Sequence, residues 1–132
     1  MKRKSLFVVV LLALGSFSAC EKDVNDVITM KVEPEIVTKD TPINLVIENH
    51  TNKKLGMACS ISMEYFDNGN WIYVDIDIPY YYMLCCLLPK EKREGSSYIS
   101  DFGLEKLGRY RIAKVFYYNK KEYKVYAEFE IK

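Results

Sequence analysis

The residues of this 132-residue chain that could carry chemistry are one histidine, four cysteines, two aspartates two positions apart and an unusual number of aromatic side chains. His50 is the sole histidine, which removes most Ser-His and Cys-His arrangements and any histidine cluster for zinc. It stands at the end of an alternating segment and reads as a turn residue. Asp75 and Asp77 fall on one outward side of a strand. Calcium takes about six to eight oxygens, and no dense acidic loop supplies them, so the pair reads as a solvated face. No paired carboxylates occupy a recognisable acid and base setting, and no glycine-rich loop joins a strand to a helix to cradle phosphate. The sequence therefore predicts no catalytic set, no metal and no cofactor.

Cys59, Cys85 and Cys86 would meet an oxidising compartment in an exported protein, where a disulfide is the expected fate. Joining Cys59 to either neighbour would stabilise the fold by about 3 kcal/mol through loop entropy. Adjacent strand residues point to opposite faces, so one of Cys85 and Cys86 is left over. The alternative, in a cell that forms few such bonds, is three buried thiols.

The question of export turns on the opening residues, MKRKSLFVVVLLALGSFSAC. Lys2, Arg3 and Lys4 precede an apolar run from Leu6 to Leu14 and a small-residue segment around Gly15, Ser16, Ser18 and Ala19, the three parts of a secretory signal. The apolar run is too short to span a bilayer as a helix. With Ala19 directly before Cys20, and Phe17 in place of the usual aliphatic residue, the segment resembles a lipoprotein signal. That resemblance implies removal of residues 1–19 and lipidation of Cys20, where two or three acyl chains give stable anchoring. The polar stretch EKDVND follows and is similar to the acidic surface-export signals of Bacteroidota lipoproteins. Glu21 resembles outer-membrane sorting more than inner-membrane retention. The organisation expected is a signal over 1–19, a lipidated cysteine and tether over 20–27, and one domain over 28–132.

Without Lys2, Arg3 and Lys4 the 19 basic residues fall to 16 against 18 acidic ones, a net charge near minus two. No basic stripe tracks a phosphate backbone, and nucleic acid is not an expected partner. All 11 tyrosines lie beyond the signal, among many valines, isoleucines and phenylalanines, a composition suited to pleated, half-buried surfaces.

Ile43 to Asn49 alternates apolar and polar residues after Thr41-Pro42 and before His50-Thr51-Asn52, the pattern of a strand between turns. A strand from Val27 to Glu33, stopped by Pro34, precedes it. In FDNGNW, Asn68-Gly69 suits a two-residue turn. That turn sets Phe66 opposite Trp71, Tyr65 opposite Ile72, Met63 opposite Val74 and Ile61 opposite Ile76. One face then collects Ile61, Met63, Tyr65, Ile72, Val74 and Ile76, the consistency expected of a real hairpin.

A second hairpin, turning near Asn119-Lys120-Lys121, sets Tyr110, Ile112, Phe116 and Tyr118 against Tyr123, Val125, Ala127, Phe129 and Ile131 on the core side. Lys114 breaks the pattern and calls for a bulge or a snorkelling stem. YYYMLCCLLP reads as a strand or buried loop, Ser96 to Ser100 as a short strand, and Asp101 to Lys106 as at most a turn or two of helix. About seven strands without a convincing helix make an all-β, two-sheet antiparallel sandwich.

LEKLGRYRI, with Leu104, Gly108 and Tyr110, resembles the tyrosine corner of immunoglobulin-like sandwiches, in which the tyrosine hydroxyl bonds back to the backbone. INLVIENHT, NGNW, LLPKE, LGRYRI and YAEFEI, in that order, resemble a bacterial Ig-like domain family of secreted and membrane-anchored proteins. The resemblance covers about Val32 to Ile131 and implies a fold rather than a ligand. Trp71 follows the hairpin turn and no cysteines take the paired inter-sheet positions, so the likeness to antibody domains stops at architecture.

Folding explains least well the outward set Phe66, Trp71 and Tyr73 on one hairpin, with Val115, Tyr117 and Tyr126 on the other. Cross-strand pairing alone can use such residues, whereas a contiguous patch would be a binding surface. The leading expectation is a non-catalytic, lipid-anchored module of the cell envelope that binds or scaffolds a protein or glycan. The alternatives are an inhibitor that blocks a hydrolase through the Pro79 to Pro89 loop, and a plain structural spacer.

Overall fold

The computed structural model describes residues 23–77 and 85–132. The signal, Cys20 and most of the tyrosine-rich run lie outside the described residues. The elements are a helical turn α1 (Val24–Val27), then strands β1 (Ile28–Glu33), β2 (Ile36–Val37), β3 (Pro42–Asn49), β4 (Leu55–Met57), β5 (Ser62–Asp67) and β6 (Asn70–Val74). They continue with β7 (Cys86–Leu87), β8 (Lys92–Tyr98), a 3-10 turn (Ile99–Phe102), β9 (Gly108–Tyr118) and β10 (Lys121–Ile131). β1-β3-β8 form one sheet and β2-β10-β9-β4-β7 the other, with β5 also on β9 and β6 on β5. The architecture is an Ig-like all-β sandwich.

Alternation builds the core. Ile43, Leu45 and Ile47 of β3 face Tyr110, Ile112 and Phe116 of β9, with Val125, Ala127, Phe129 and Ile131 of β10 beside them, all buried. Each such side chain contributes roughly 1.5–3 kcal/mol on burial. The chain enters this core earlier than the sequence suggested, since Val27 is fully buried and Val24 packs against the same cluster. The segment read as a tether is thus, from Val24 onward, part of the domain. At Glu33-Pro34, a cis peptide, the chain leaves β1 and crosses to the other sheet, where β2 joins β10 in parallel. This parallel pair departs from the all-antiparallel expectation.

Both hairpins turn on two residues with positive φ, Asn68-Gly69 and Asn119-Lys120, so their twist matches that of the strands. The first pairs Phe66 with Trp71, Tyr65 with Ile72 and Met63 with Val74. The described ladder stops at Met63 and does not reach the expected Ile61 and Ile76 pair. Ile72, expected in the core, is 48% exposed, because the three-stranded sheet does not extend beneath β6.

Three other readings change. The strand placed at Ser96 to Ser100 lies earlier, at Lys92–Tyr98, since β3 draws seven residues into register from Pro42 opposite Tyr98 to Glu48 opposite Lys92. The helical turn placed at Asp101 to Lys106 is instead Ile99–Phe102. Asp101 accepts from the Tyr98 amide at 2.8 Å, and Gly103, in the left-handed region at φ 73°, ends it. Lys114 is buried with no bulge in its own hairpin, which pairs without interruption. The irregularity is across the sheet: Met57 opposes Phe116 and Ser62 opposes Ala113, so residues 58–61 span only Lys114 and Val115. Two residues are extra there, and the ammonium of Lys114 donates to the Ala58 carbonyl at 2.8 Å.

Candidate functional site: an aromatic and arginine sheet face

The outward side chains of β6, β5, β9 and β10 form rows dictated by register. Glu64 lies opposite both Tyr73 and Arg111, and Arg111 lies opposite Glu128. Arg111 donates through two nitrogens to Glu64, at 3.0 and 3.1 Å, a fork geometry that fixes both side chains. Its guanidinium sits 4.3 Å from the Trp71 ring centre and 3.8 Å from that of Tyr126, within the range of cation-π attraction. Arg109 bonds Glu128 at 2.8 Å and stands 4.7 Å from the Phe66 ring centre. Phe66 and Trp71 meet at 5.0 Å with their rings tilted. Phe66, Trp71 and Tyr126 are therefore tied into one array by two arginines.

Tyr73 flanks this array and is 69% exposed. Tyr117 does not belong to it: it lies four residues along β9 from Ala113 and opposite Gly56, on which it leans. Val115 is half-buried between these positions. Arg109, Arg111 and Glu64 carry the array, and sequence reasoning missed them. Their signal was present, as polar residues alternating with core residues at spacing two, but only the β5 to β9 register shows that they meet.

An open groove of about 660 Å³ adjoins the array where β10 faces β1, lined by Lys31, Ile36, Arg109, Arg111, Tyr126 and Glu128 among others. A second, of about 330 Å³, lies on the opposite side of the sheet under β6, lined by Tyr65, Ile72, Val74, Leu104 and Tyr110 with Asp67, Glu105 and Lys106. Neither collects catalytic groups, and among the described residues no cluster of three histidine, cysteine or carboxylate side chains could hold a metal.

Tyr110 closes one end of the core. Its hydroxyl donates to the Lys106 carbonyl at 2.6 Å, and its ring packs on Phe129 at 5.6 Å. Burial raises the pKa of this phenol above its ordinary value. Tyr65 donates to the next carbonyl, that of Leu107, at 3.1 Å. Its ring lies so close to Gly108 that a Cβ there would fall 2.8 Å from the Tyr65 oxygen. Gly108 also has φ 132°, so the corner requires glycine on both counts.

Cys59 and Cys85 are joined by a disulfide and Cys86 is a free, half-buried thiol. The bridge ties the β4 to β5 irregularity to the start of β7. His50 contacts Thr29 Oγ1 at 2.9 Å and Glu48 at 3.3 Å, ordinary strand-end contacts. Asp75 and Asp77 are exposed. Of the leucines in the loop proposed to dock on a hydrolase, Leu87 is buried and Leu88 is 56% exposed, while Leu84 lies outside the described residues. Buried Asn49, which the sequence did not mark, accepts from Thr51 and donates to the Lys53 and Leu88 carbonyls, pinning two loops together.

A sandwich with a tyrosine bonded back at the corner before β9, and with no catalytic constellation in its described residues, defines an immunoglobulin-like module. The family of bacterial Ig-like domains matches residues 24–130, and the chain belongs to that family. Such domains are generally non-catalytic and typically extracellular or envelope-associated. No helix among the described residues is long and apolar enough to cross a membrane. No curated protein matches the chain. Among solved structures it is similar to the Pseudomonas fluorescens alkylpurine DNA glycosylase AlkC bound to DNA containing an abasic site analog. The identity is 17% and the TM-score 0.42, over 91% of this chain and 33% of that one. The chain thus spans a third of that enzyme, and so distant a likeness transfers none of its chemistry.

Proposed function

We propose that the chain is a lipid-anchored cell-envelope module, attached through Cys20 to the outer membrane, whose domain binds or scaffolds a protein or glycan without catalysing a reaction. The observation that carries this reading is the exported-type N-terminus ending in Ala19-Cys20, followed within a few residues by an Ig-like fold. The anchored end then leads directly into a domain that offers a tied, half-exposed aromatic array rather than a reaction centre. Of the alternatives, the spacer differs in requiring no surface side chain.

Metabolic labelling with a tagged palmitate tests the anchor. Wild type should take up label and fractionate with outer membrane, and Cys20→Ala should do neither. Label retained in Cys20→Ala would refute it. For the domain, Trp71→Ala with Tyr73→Ala should abolish partner retention while the protein still folds. A spacer would lose nothing but stability.

A further inference from the structure

The sandwich has several strand edges, and they are not equally protected. β8 carries Lys92, Arg93 and Glu94, β1 carries Lys31 and Glu33, and β10 carries Lys121, Glu122, Lys124 and Glu128, with β2 covering its end. Charges of this kind keep an exposed edge from recruiting another strand. β6 has none: it reads Asn70-Trp71-Ile72-Tyr73-Val74 and pairs only with β5 among the described strands. It is also apolar on both sides, with Tyr73 69% exposed on the outer face and Ile72 48% exposed on the inner one.

The backbone of this edge is set for pairing. In a two-residue hairpin the residues flanking the turn, here Asp67 and Asn70, exchange hydrogen bonds, and the pattern then alternates. Trp71 and Tyr73 therefore turn their N–H and C=O groups away from β5, toward the edge that no described strand pairs. Beneath it lies the groove of about 330 Å³ into which Ile72 and Val74 project, with Leu104 on its far wall. A strand added to β6 would place every second side chain over that groove.

The charges around the groove select the visitor. Asp67 and Glu105 line it, and Asp77 approaches it, with a carboxylate oxygen 3.4 Å from where a Gly103 side chain would begin. Among the described residues that line it, the one cation, Lys106, has its ammonium 4.7 Å from the Tyr65 ring centre. The rim is thus acidic and complements basic residues.

We infer that β6 is a docking edge for an extended segment of a partner protein, one with alternating apolar residues and basic flanks, which joins the sheet as a further strand. This inference rests on the reading of the domain as a binding module and names the kind of partner it takes.

The test uses the purified full chain in detergent micelles and a fluorescein-labelled peptide of alternating valine and threonine with lysines at both ends. Anisotropy should show saturable binding. Exchanging the lysines for glutamates, or N-methylating the amides along one side of the peptide, should each weaken it at least ~10-fold, above about 1.4 kcal/mol. Tyr73→Pro removes the edge N–H, a position where a solvent-facing edge strand tolerates proline, and should cause a similar loss with little change in Tm. Lys92→Ala, on β8 of the other sheet, should bind as wild type does. Failure of the lysine-flanked peptide to bind, or equal binding by Tyr73→Pro, overturns the inference. A dimer that forms through β6 and is lost in Tyr73→Pro would also overturn it, by making a second copy the occupant. A photoreactive side chain at position 73 or 126 in cells separates the two levels: adducts at 126 alone reject the edge and keep the binding module, and adducts at neither reject both.

Discussion

Replacing Lys114 with methionine should flatten the alkaline rise in this domain's stability. Burial lowers the lysine's pKa from 10.5 to about 8, because the folded interior solvates an ammonium poorly. Below about pH 8 both states are protonated and the folded state carries the full cost of the buried charge. Between 8 and 10.5 the unfolded chain keeps its proton while the folded one releases it, so stability increases with pH. Each pKa unit corresponds to about 1.36 kcal/mol, so a fall from 10.5 to about 8 bounds the effect at about 3.4 kcal/mol. Between pH 7 and pH 10 the folded lysine is still partly protonated at the start and the unfolded one begins to titrate at the end, so the gain over that window is about 1–2.5 kcal/mol. Urea unfolding of wild type and Lys114→Met at both pH values measures it, since every other titrating group is common to both and cancels. The methionine leaves the Ala58 carbonyl without this donor, an offset of about 1–3 kcal/mol that does not vary with pH. Parallel pH curves for the two proteins would refute the argument.

Tyr110→Phe keeps the ring against Phe129 and loses the bond to the Lys106 carbonyl, so thermal unfolding should report a loss of about 1–2 kcal/mol. Gly108→Ala forces a left-handed residue and displaces the Tyr65 hydroxyl from the Leu107 carbonyl. It should cost roughly 2–3 kcal/mol, and Tyr65→Phe in the same background should cost little more. The disulfide closes a sequence separation of 26 residues, so Cys59→Ala with Cys85→Ala should lower stability by about 3.5 kcal/mol on the loop-entropy relation. Alkylation of the unreduced protein should modify one thiol of the described three, that of Cys86.

What the sequence disclosed follows interaction range. The register of the first hairpin was legible because a two-residue turn fixes it locally, and Asn68-Gly69 names that turn. The tyrosine corner was legible because Tyr110 bonds to a carbonyl four residues away. Lys114 was legible as an anomaly but not as a solution, since its partner sits 56 residues back and the extra residues that free the Ala58 carbonyl belong to another strand. The aromatic array was half visible for the same reason. Phe66 and Trp71 meet across their own turn, whereas the arginines that join them to Tyr126 arrive through the β5 to β9 pairing. Ile72 misled because alternation identifies which side of a sheet a residue faces and not whether a second sheet lies beneath it.

The topology gives the two proposals a common geometry. Val27 meets His50 through a 2.9 Å backbone bond, and Lys53 reaches Asn119 at 3.4 Å, so the entry of the chain and the turn after β9 share one pole. The turn at Asn68-Gly69 and the corner at Gly108 occupy the other, separated by the 11 residues of β9, about 35 Å of strand. Residues 20–23 can extend at most roughly 14 Å, so an anchor at Cys20 would hold the first pole close to the headgroups. With such an anchor, the acidic rim of Asp67 and Glu105 and the edge of β6 that no described strand pairs would lie in the half pointing away from the membrane, where an extended basic segment could reach them without crossing the lipid surface.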